Sequence, residues 1–595
     1  MSGRKQEKEL DSTSIKSLAS TSSDSADIPA AIPRPRNLSD PYKGQERRSG
    51  VNSNPITPLD RFSGSYLDDA ASYYDPDDDY ALSVQRTATI QEETDAAGPR
   101  SVDLEKGPTI DQVLERSSTV RSTLRDASKF VTWDGPDDPE NPKNWPLKWK
   151  WAATVSVSLF TFISPVSSSM VAPALVNIAE DLHITQEFTL QLTLSMFILA
   201  YAVGPLFIGP LSEVYGRMVV LQLSNLIFLA FNIGCAFSQT TTQLLVCRFF
   251  AGLGGSASLA VGGGVLADCF RPEERGKSVS MYSLAPLLGP AVGPIAGGFI
   301  AERTTWRWVF YATSIADACI QVIGLFFLRE SYAPVILAAR AARLRKETGD
   351  ETYYTEADLA KKSLSQTADQ ALLRPFRLIL TQPIVQVMAL FMAYIYGTMY
   401  LVLSSFPTLW TSPKYYNESP GIGSLNYLSL ALGLWTGTQV TAPLNDRVYR
   451  ALMARNNGVG RPEFRLPLMV ITALCMPVGF FIYGWTAEAH CHWIAPNIGA
   501  FIMSIGLVVG FQCIQTYVID TYTRYAASAQ AAVAFLRSIA GFGFPLFAPY
   551  MYNALAYGWG NSVLAFVAIA LGIPTPIFLW FYGERLRKRT TYAAG

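Results

Sequence analysis

Charge is scarce in this chain: only 16% of its 595 residues are Asp, Glu, Lys or Arg, against about 25% in soluble domains. That shortage argues against an ordinary cytosolic protein. Histidine is scarcer still, with His183, His490 and His492 the only three, and His490-Cys491-His492 is not a recognised ligand spacing. No metal site is expected. The seven cysteines, at 235, 247, 269, 319, 475, 491 and 513, show no paired spacing, which excludes a disulfide framework or a CxxC zinc site. A cleavable secretory signal is missing too, because the first long apolar run begins only after residue 150. The first membrane helix is therefore expected to do the targeting.

Two nucleotide-like stretches fail on context. Gly252-Leu-Gly254-Gly-Ser-Ala257 imitates a dinucleotide fingerprint, but no strand precedes it and it sits in an apolar run. Gly276-Lys277-Ser278 imitates the end of a phosphate loop, yet Arg271 stands where its first glycine is required. With no nucleophile, metal or nucleotide constellation, the chain is not expected to be an enzyme, to carry a cofactor or to bind nucleic acid.

What the sequence does contain is hydrocarbon. Residues 1–128 are rich in Ser, Thr, Asp, Pro and Gly, include the run Asp75-Pro-Asp-Asp-Asp79, and lack the apolar residues to offset folding entropy. They are expected to be a disordered cytoplasmic tail, followed by a juxtamembrane segment at 129–150. From Trp151 onward twelve apolar runs recur, each near the roughly 20 residues of a spanning helix: 151–173, 190–211, 218–238, 242–268, 277–301, 309–328, 383–408, 422–442, 466–486, 493–518, 528–556 and 562–582. The fold class is therefore an all-α membrane protein.

Residues 1–150 carry 20 basic and 26 acidic side chains, the rest 28 and 22. Placing the tail in the cytoplasm puts nineteen Lys and Arg on inner loops and three, Arg303, Arg307 and Lys414, on outer ones. By the positive-inside rule this sets both termini in the cytoplasm. The sequon Asn417-Glu-Ser419 then lies outside and is a glycosylation candidate, weakened by Pro420. The longest inner loop, 329–382, separates two six-helix halves (151–328 and 383–582), and 583–595 form a basic C-terminal tail. Across that divide Pro210-Leu-Ser-Glu213 with Arg217 is echoed by Pro443-Leu-Asn-Asp446 with Arg450, at a constant offset of 233 residues. Such duplication is common in secondary transporters, which place substrate near the midplane between halves.

The stretch Gly209-Pro-Leu-Ser-Glu213-Val-Tyr-Gly216-Arg217 resembles the inner-loop signature G-x-L-x-D-x-x-G-R of the major facilitator superfamily, with Glu213 in place of the usual Asp and Met218 where a basic residue is common. The resemblance implies a turn that controls switching between inward-open and outward-open states, with Glu213 and Arg217 able to pair. Arg248, in Cys247-Arg-Phe-Phe-Ala-Gly252, costs several kcal/mol in hydrocarbon unless it snorkels or faces a partner or a wet cavity. The stretch resembles the family's fourth-span motif, whose arginine is implicated in proton coupling. Gly289-Pro290-Ala-Val-Gly293-Pro294-Ile-Ala-Gly297-Gly298 places small residues along one helix face. It resembles the motif that marks the antiporter branch. Together with Asn141–Pro146, Trp306–Phe310, Arg461–Pro467 and Phe535–Gly541, these stretches resemble fungal members of the twelve-span drug:proton antiporter family over residues 133 to about 585.

Few other charges enter the spans. Arg537 lies about a third of the way into the eleventh span. Asp317 lies mid-span; low dielectric disfavours a charged carboxylate, so it is either the proton site or a structural acid bonded to a neighbouring helix. Asp268 and Asp520, at inner ends, are expected to join gating pairs with Arg271 or Arg524. Tyr394, Tyr396, Tyr400, Phe511, Gln512 and Gln515 are candidates for a loose aromatic pocket. The expected function is proton-coupled export of hydrophobic or cationic drugs, toxins or secondary metabolites from the plasma membrane, by a monomer whose partners are protons, small substrates and lipid. The alternatives are a polyamine transporter or a non-transporting membrane sensor.

Overall fold

The computed structural model describes residues 129–271, 274–360 and 364–590. The expected disordered tail, 1–128, lies outside them, as do residues 591–595. Twelve long helices follow the apolar runs. They are α1 (Leu147–Ser169), α2 (Glu187–Tyr215), α3 (Arg217–Ala236), α4 (Thr241–Cys269), α5 (Arg275–Arg303) and α6 (Arg307–Phe327), then α7 (Pro383–Thr411), α8 (Tyr427–Arg455), α9 (Met469–Glu488) and α10 (Ile494–Thr521). The last apolar stretch, Ala526–Lys588, turns at Ala556, whose φ is 54°. It therefore holds two spans, α11 (526–555) and α12 (557–588). The Tyr557 N–H released at this turn donates to the Glu488 carboxylate at the end of α9, at 3.0 Å.

Local chemistry marks the helix ends. The Thr240 hydroxyl accepts from the Gln243 N–H and caps α4, a bond worth about 1 kcal/mol. Gly216 ends α2 at a φ of 97°, a left-handed value that side chains resist, and a Cβ there would strike the Glu330 carboxylate.

Burial sorts the helices. The apolar windows of α1 and α7 are the most enclosed, whereas α3 and α6 leave Leu223, Leu226, Ile227, Leu325 and Phe326 exposed. Such a band suits lipid contact. Two core clusters draw on residues 153–328, and a third draws mainly on residues 378–579. The seam between these halves is made by α5 against α8 and by α2 against α11. α5 and α8 are as long as the other spans but more polar; each packs one face against the other across the seam, while α8 turns Leu428, Leu432, Trp435 and Val440 outward.

The loop at 329–382 is not irregular: it contains helices Ala333–Thr348, Glu356–Ala360 and Leu364–Thr381. The first is clamped to the juxtamembrane segment. Arg340 pairs with Asp134 and, at 2.7 Å, with Asp138, while the Val131 N–H donates to the Tyr354 carbonyl at 2.8 Å. Burial works against the Asp138 carboxylate, but the N–H groups of Asp134 and Glu140 and the Arg340 guanidinium hold it below the usual carboxylate range.

Candidate functional site: latches, buried charges and a central aromatic cluster

Each half carries a latch at its inner face. In the first half Arg217, at the start of α3, does not pair with Glu213, which is exposed. Its Nε lies 3.5 Å from Asp268 at the end of α4, its Nη1 donates to the Ser212 hydroxyl at 2.8 Å, and its guanidinium lies over the Tyr332 ring. Glu330, following α6, accepts the backbone N–H groups of Arg217 and Met218 at 2.9 and 3.1 Å. An acid absent from the sequence motif thus holds the turn. Asp268 takes Arg217 as partner instead of Arg271, which donates to Asn144.

In the second half Arg465 bridges Asp446 at 2.9 Å and Asp520 at 3.0 Å and lies over Tyr449. Arg450 is exposed and reaches only the Asp446 carbonyl. The spatial counterpart of Arg217 is therefore Arg465, just before α9, and not Arg450. Constant sequence offset misled here because α8 continues past Asp446 to Arg455, so equivalent turns are not equidistant in sequence.

Arg248 is fully buried and ringed by carbonyl oxygens. Its Nη1 and Nη2 donate to the Ser167 and Ser168 carbonyls at 3.1 Å each, and its Nε to the Thr193 carbonyl at 3.0 Å. Ser167 and Ser168 belong to the last turn of α1, whose carbonyls lack intrahelical partners. The arginine caps that terminus, where a cation is favourable, and ties α1, α2 and α4 together. The Phe197 and Phe310 rings cover it. This geometry gives Arg248 a capping task without a carboxylate partner.

Asp317 is likewise fully buried, but between α3 and α6. Both its oxygens accept from Asn225 Nδ2, at 3.1 and 3.2 Å; Asn225 also reaches Gln321, and Gln321 reaches Gln222. One level further out Asn232 bonds Thr313, Ser314 and Ser167. These amides went unread in the sequence. Their signal was spacing: Gln222, Asn225 and Asn232 recur at three and seven residues, one helix face, opposite a matching polar face of α6.

The glycines of the α5 motif face two ways. A Cβ on Gly289 would fall 3.1 Å from the Phe162 carbonyl, one on Gly293 2.7 Å from the Val166 carbonyl, and Gly297 abuts the Met170 carbonyl. α5 thus lies against α1 in matching four-residue steps, an approach only small residues permit. Gly298 instead abuts Ser424 and Pro420 of the other half, and Glu302 accepts the Gly421 N–H at 2.7 Å. Pro290 lines a narrow apolar cleft with Met399, Leu434 and Leu507; Pro294 bends the same helix. Across the middle, the Tyr400 and Ser168 hydroxyls lie 3.3 Å apart.

The six pocket candidates divide. Tyr396 and Tyr400, one turn apart on α7, have ring centroids 5.1 Å apart, and Tyr396 and Phe511 both flank Arg537. Gln515 shares the α10 face of Phe511, with Gln512 next to it. Tyr394 does not join them: it points the other way around α7 and donates to the Leu564 carbonyl of α12. Asn417 is exposed in an outer turn, its φ 51°. Gly252 and Gly254, the two glycines of the fingerprint-like pattern, are packing glycines pressed on the Phe197 carbonyl and the Phe228 backbone.

The comparisons agree with this architecture. The chain is 51% identical to "Efflux pump vrtL" of Penicillium aethiopicum over 83% of its own length and 96% of that protein, and 44% identical to an "uncharacterized transporter" of Schizosaccharomyces pombe over 82% and 98%. Among solved structures, a partially occluded inward-open form of the xylose transporter XylE from E. coli superposes with a TM-score of 0.54 at 15% identity, over 73% of this chain and 98% of that one. The family model for the Major Facilitator Superfamily matches residues 157–545. Twelve helices in two latched halves, with α5 and α8 on the seam, are its membrane architecture, and the chain belongs to the Major Facilitator Superfamily.

Proposed function

We propose that this membrane transporter exports hydrophobic toxins, drugs or secondary metabolites across the plasma membrane by alternating access, in exchange for protons. It would act as a monomer in lipid, with both termini in the cytoplasm. The observation that carries the reading is the placement of α5, whose motif resembles that of antiporters: three glycines lock it to α1 while Gly298 and Glu302 join the opposite half at the outer end. The inner ion pairs of Arg217 and Arg465 stay within their own halves. An outer seam that can part while the inner latches regroup is what a rocking transporter needs. The printed name of the 51%-identical relative, an efflux pump, supports the direction of transport.

Asp317 is the proposed proton carrier, because it is a buried acid held only by an amide. It lies in the α3–α6 seam, so protonation would act on helix packing and not by contact with substrate. Expression in a toxin-sensitive yeast, challenged with a panel of apolar toxins, tests the reading. Raised resistance to at least one toxin is expected, and its loss in Asp317→Asn; unchanged sensitivity to the whole panel contradicts it. The sensor alternative separates on deletion of residues 1–120, which leaves a transporter's flux intact and removes a sensor's output.

A further inference from the structure

The unused charge in the bundle is Arg537. It lies twelve residues into α11, about 17 Å along the helix axis and so well inside the span. Its guanidinium carbon stands 5.1 Å from the centroid of Tyr396 on α7 and 5.4 Å from that of Phe511 on α10. Tyr201 of α2 and Tyr282 of α5, both from the other half, are within electrostatic reach. Its Nε is buried without a hydrogen-bond partner, and among the described residues the side chain forms no ion pair or hydrogen bond.

The other charges near the spans are accounted for. Arg248 donates from each of its three nitrogens to a carbonyl, Asp317 is turned into the α3–α6 seam, and Asp268, Asp446 and Asp520 are held by arginines at the helix ends. The aromatic space between the halves therefore carries one uncompensated positive charge. Ring faces offset part of the cost of such a charge, but an anion offsets more, through charge-assisted bonds to the guanidinium fork. A polyamine or cationic drug would meet repulsion there.

We propose that Arg537 is the anion-binding centre of the substrate site, and that the transported class carries a carboxylate or ionised phenol on an aromatic or polycyclic body. The rings of Tyr396 and Phe511 would stack on that body while the guanidinium takes the acid. This rests on the transporter reading above, narrows its substrates and removes the cationic members of the hydrophobic-or-cationic class expected from sequence.

Three fluorescent probes sharing one ring system test it: anthracene-9-carboxylate, 9-anthracenemethanol and 9-(aminomethyl)anthracene, titrated into the purified full-length protein in detergent at neutral pH. The expected order is carboxylate tightest, by about tenfold or more over the ammonium probe. Arg537→Gln should remove that preference while leaving the alcohol's affinity within about twofold, and Arg537→Lys should restore part of it. Equal or tighter binding of the ammonium probe to wild type, an unchanged carboxylate preference in Arg537→Gln, or no binding of any probe would each overturn the proposal. The wild-type comparison stands even where a variant fails to fold. Equilibrium binding requires no flux, so this result and failure of the export reading are separable.

Discussion

Arg248 is where a motif and its geometry diverge most. The family resemblance assigns it to proton coupling, whereas the structure surrounds it with three carbonyl oxygens. Arg248→Lys replaces a fork by a single ammonium, which cannot reach Ser167, Ser168 and Thr193 together. The expected loss is about 1–3 kcal/mol of stability, seen as a lowered Tm of the purified protein; an unchanged Tm with lost transport would return the residue to coupling chemistry. Glycines in one motif also part company. Gly216 takes a left-handed φ with Glu330 against it, while a Cβ on Gly209 meets nothing within 4 Å. Gly209→Ala is therefore expected to transport normally and Gly216→Ala to be destabilised by about 1 kcal/mol or more, measurable as residual flux and thermal shift. The sequence made the charged and glycine positions legible as individuals. Their partners were not legible, since Glu330, Arg465 and Asn225 are brought in by helices distant along the chain, and an ion pair at a membrane face has no fixed sequence separation.

At the scale of elements, α5 depends on α1 for its position. Gly293→Leu would drive a branched side chain into the Val166 carbonyl and should abolish flux and sharply reduce recovery of folded protein. Gly263→Ala on α4, where nothing lies within 4 Å, should match wild type both in flux and in the folded protein recovered by gel filtration. The clamp between the juxtamembrane segment and helix Ala333–Thr348 answers to pH with a definite sign. Asp138 is held below its ordinary value by backbone N–H groups and Arg340, so its contribution is present above the unfolded carboxylate pKa of about 3.9 and fades only as pH falls below that. Hydrogen exchange at Val131 should stay slow from pH 7 to about 4 and quicken in Arg340→Ala already at neutral pH. Exchange that quickens in the wild type well above pH 4 would contradict the assignment. The helices themselves followed from apolar run length, with boundaries shifted by a few residues. The helical content of the loop at 329–382 did not, because apolar run length was the signal read there, and helices Ala333–Thr348 and Leu364–Thr381 are too polar on average to register as runs.

For the whole molecule, the sum of zero net charge conceals a division: basic loops on one side by sequence, paired latches at one end of each half and, among the described residues, Arg537 left among aromatic rings. Duplication and the long loop at 329–382 made two helical halves legible in the sequence, while the charge asymmetry of the loops gives their orientation as an expectation. Which helices meet across the seam, and that Tyr394 turns away from it while Tyr396 and Tyr400 turn toward it, required the packed structure. The proposed exchange of substrate for protons is measured in proteoliposomes loaded with a pH-sensitive dye and given an imposed pH gradient, with proton movement recorded as members of a toxin panel are added. At least one compound is expected to accelerate proton flux over empty liposomes, and Asp317→Asn, folded and still able to bind, to abolish the effect. Substrate flux that proceeds at the same rate with the gradient collapsed, or proton flux unchanged in Asp317→Asn, would contradict it.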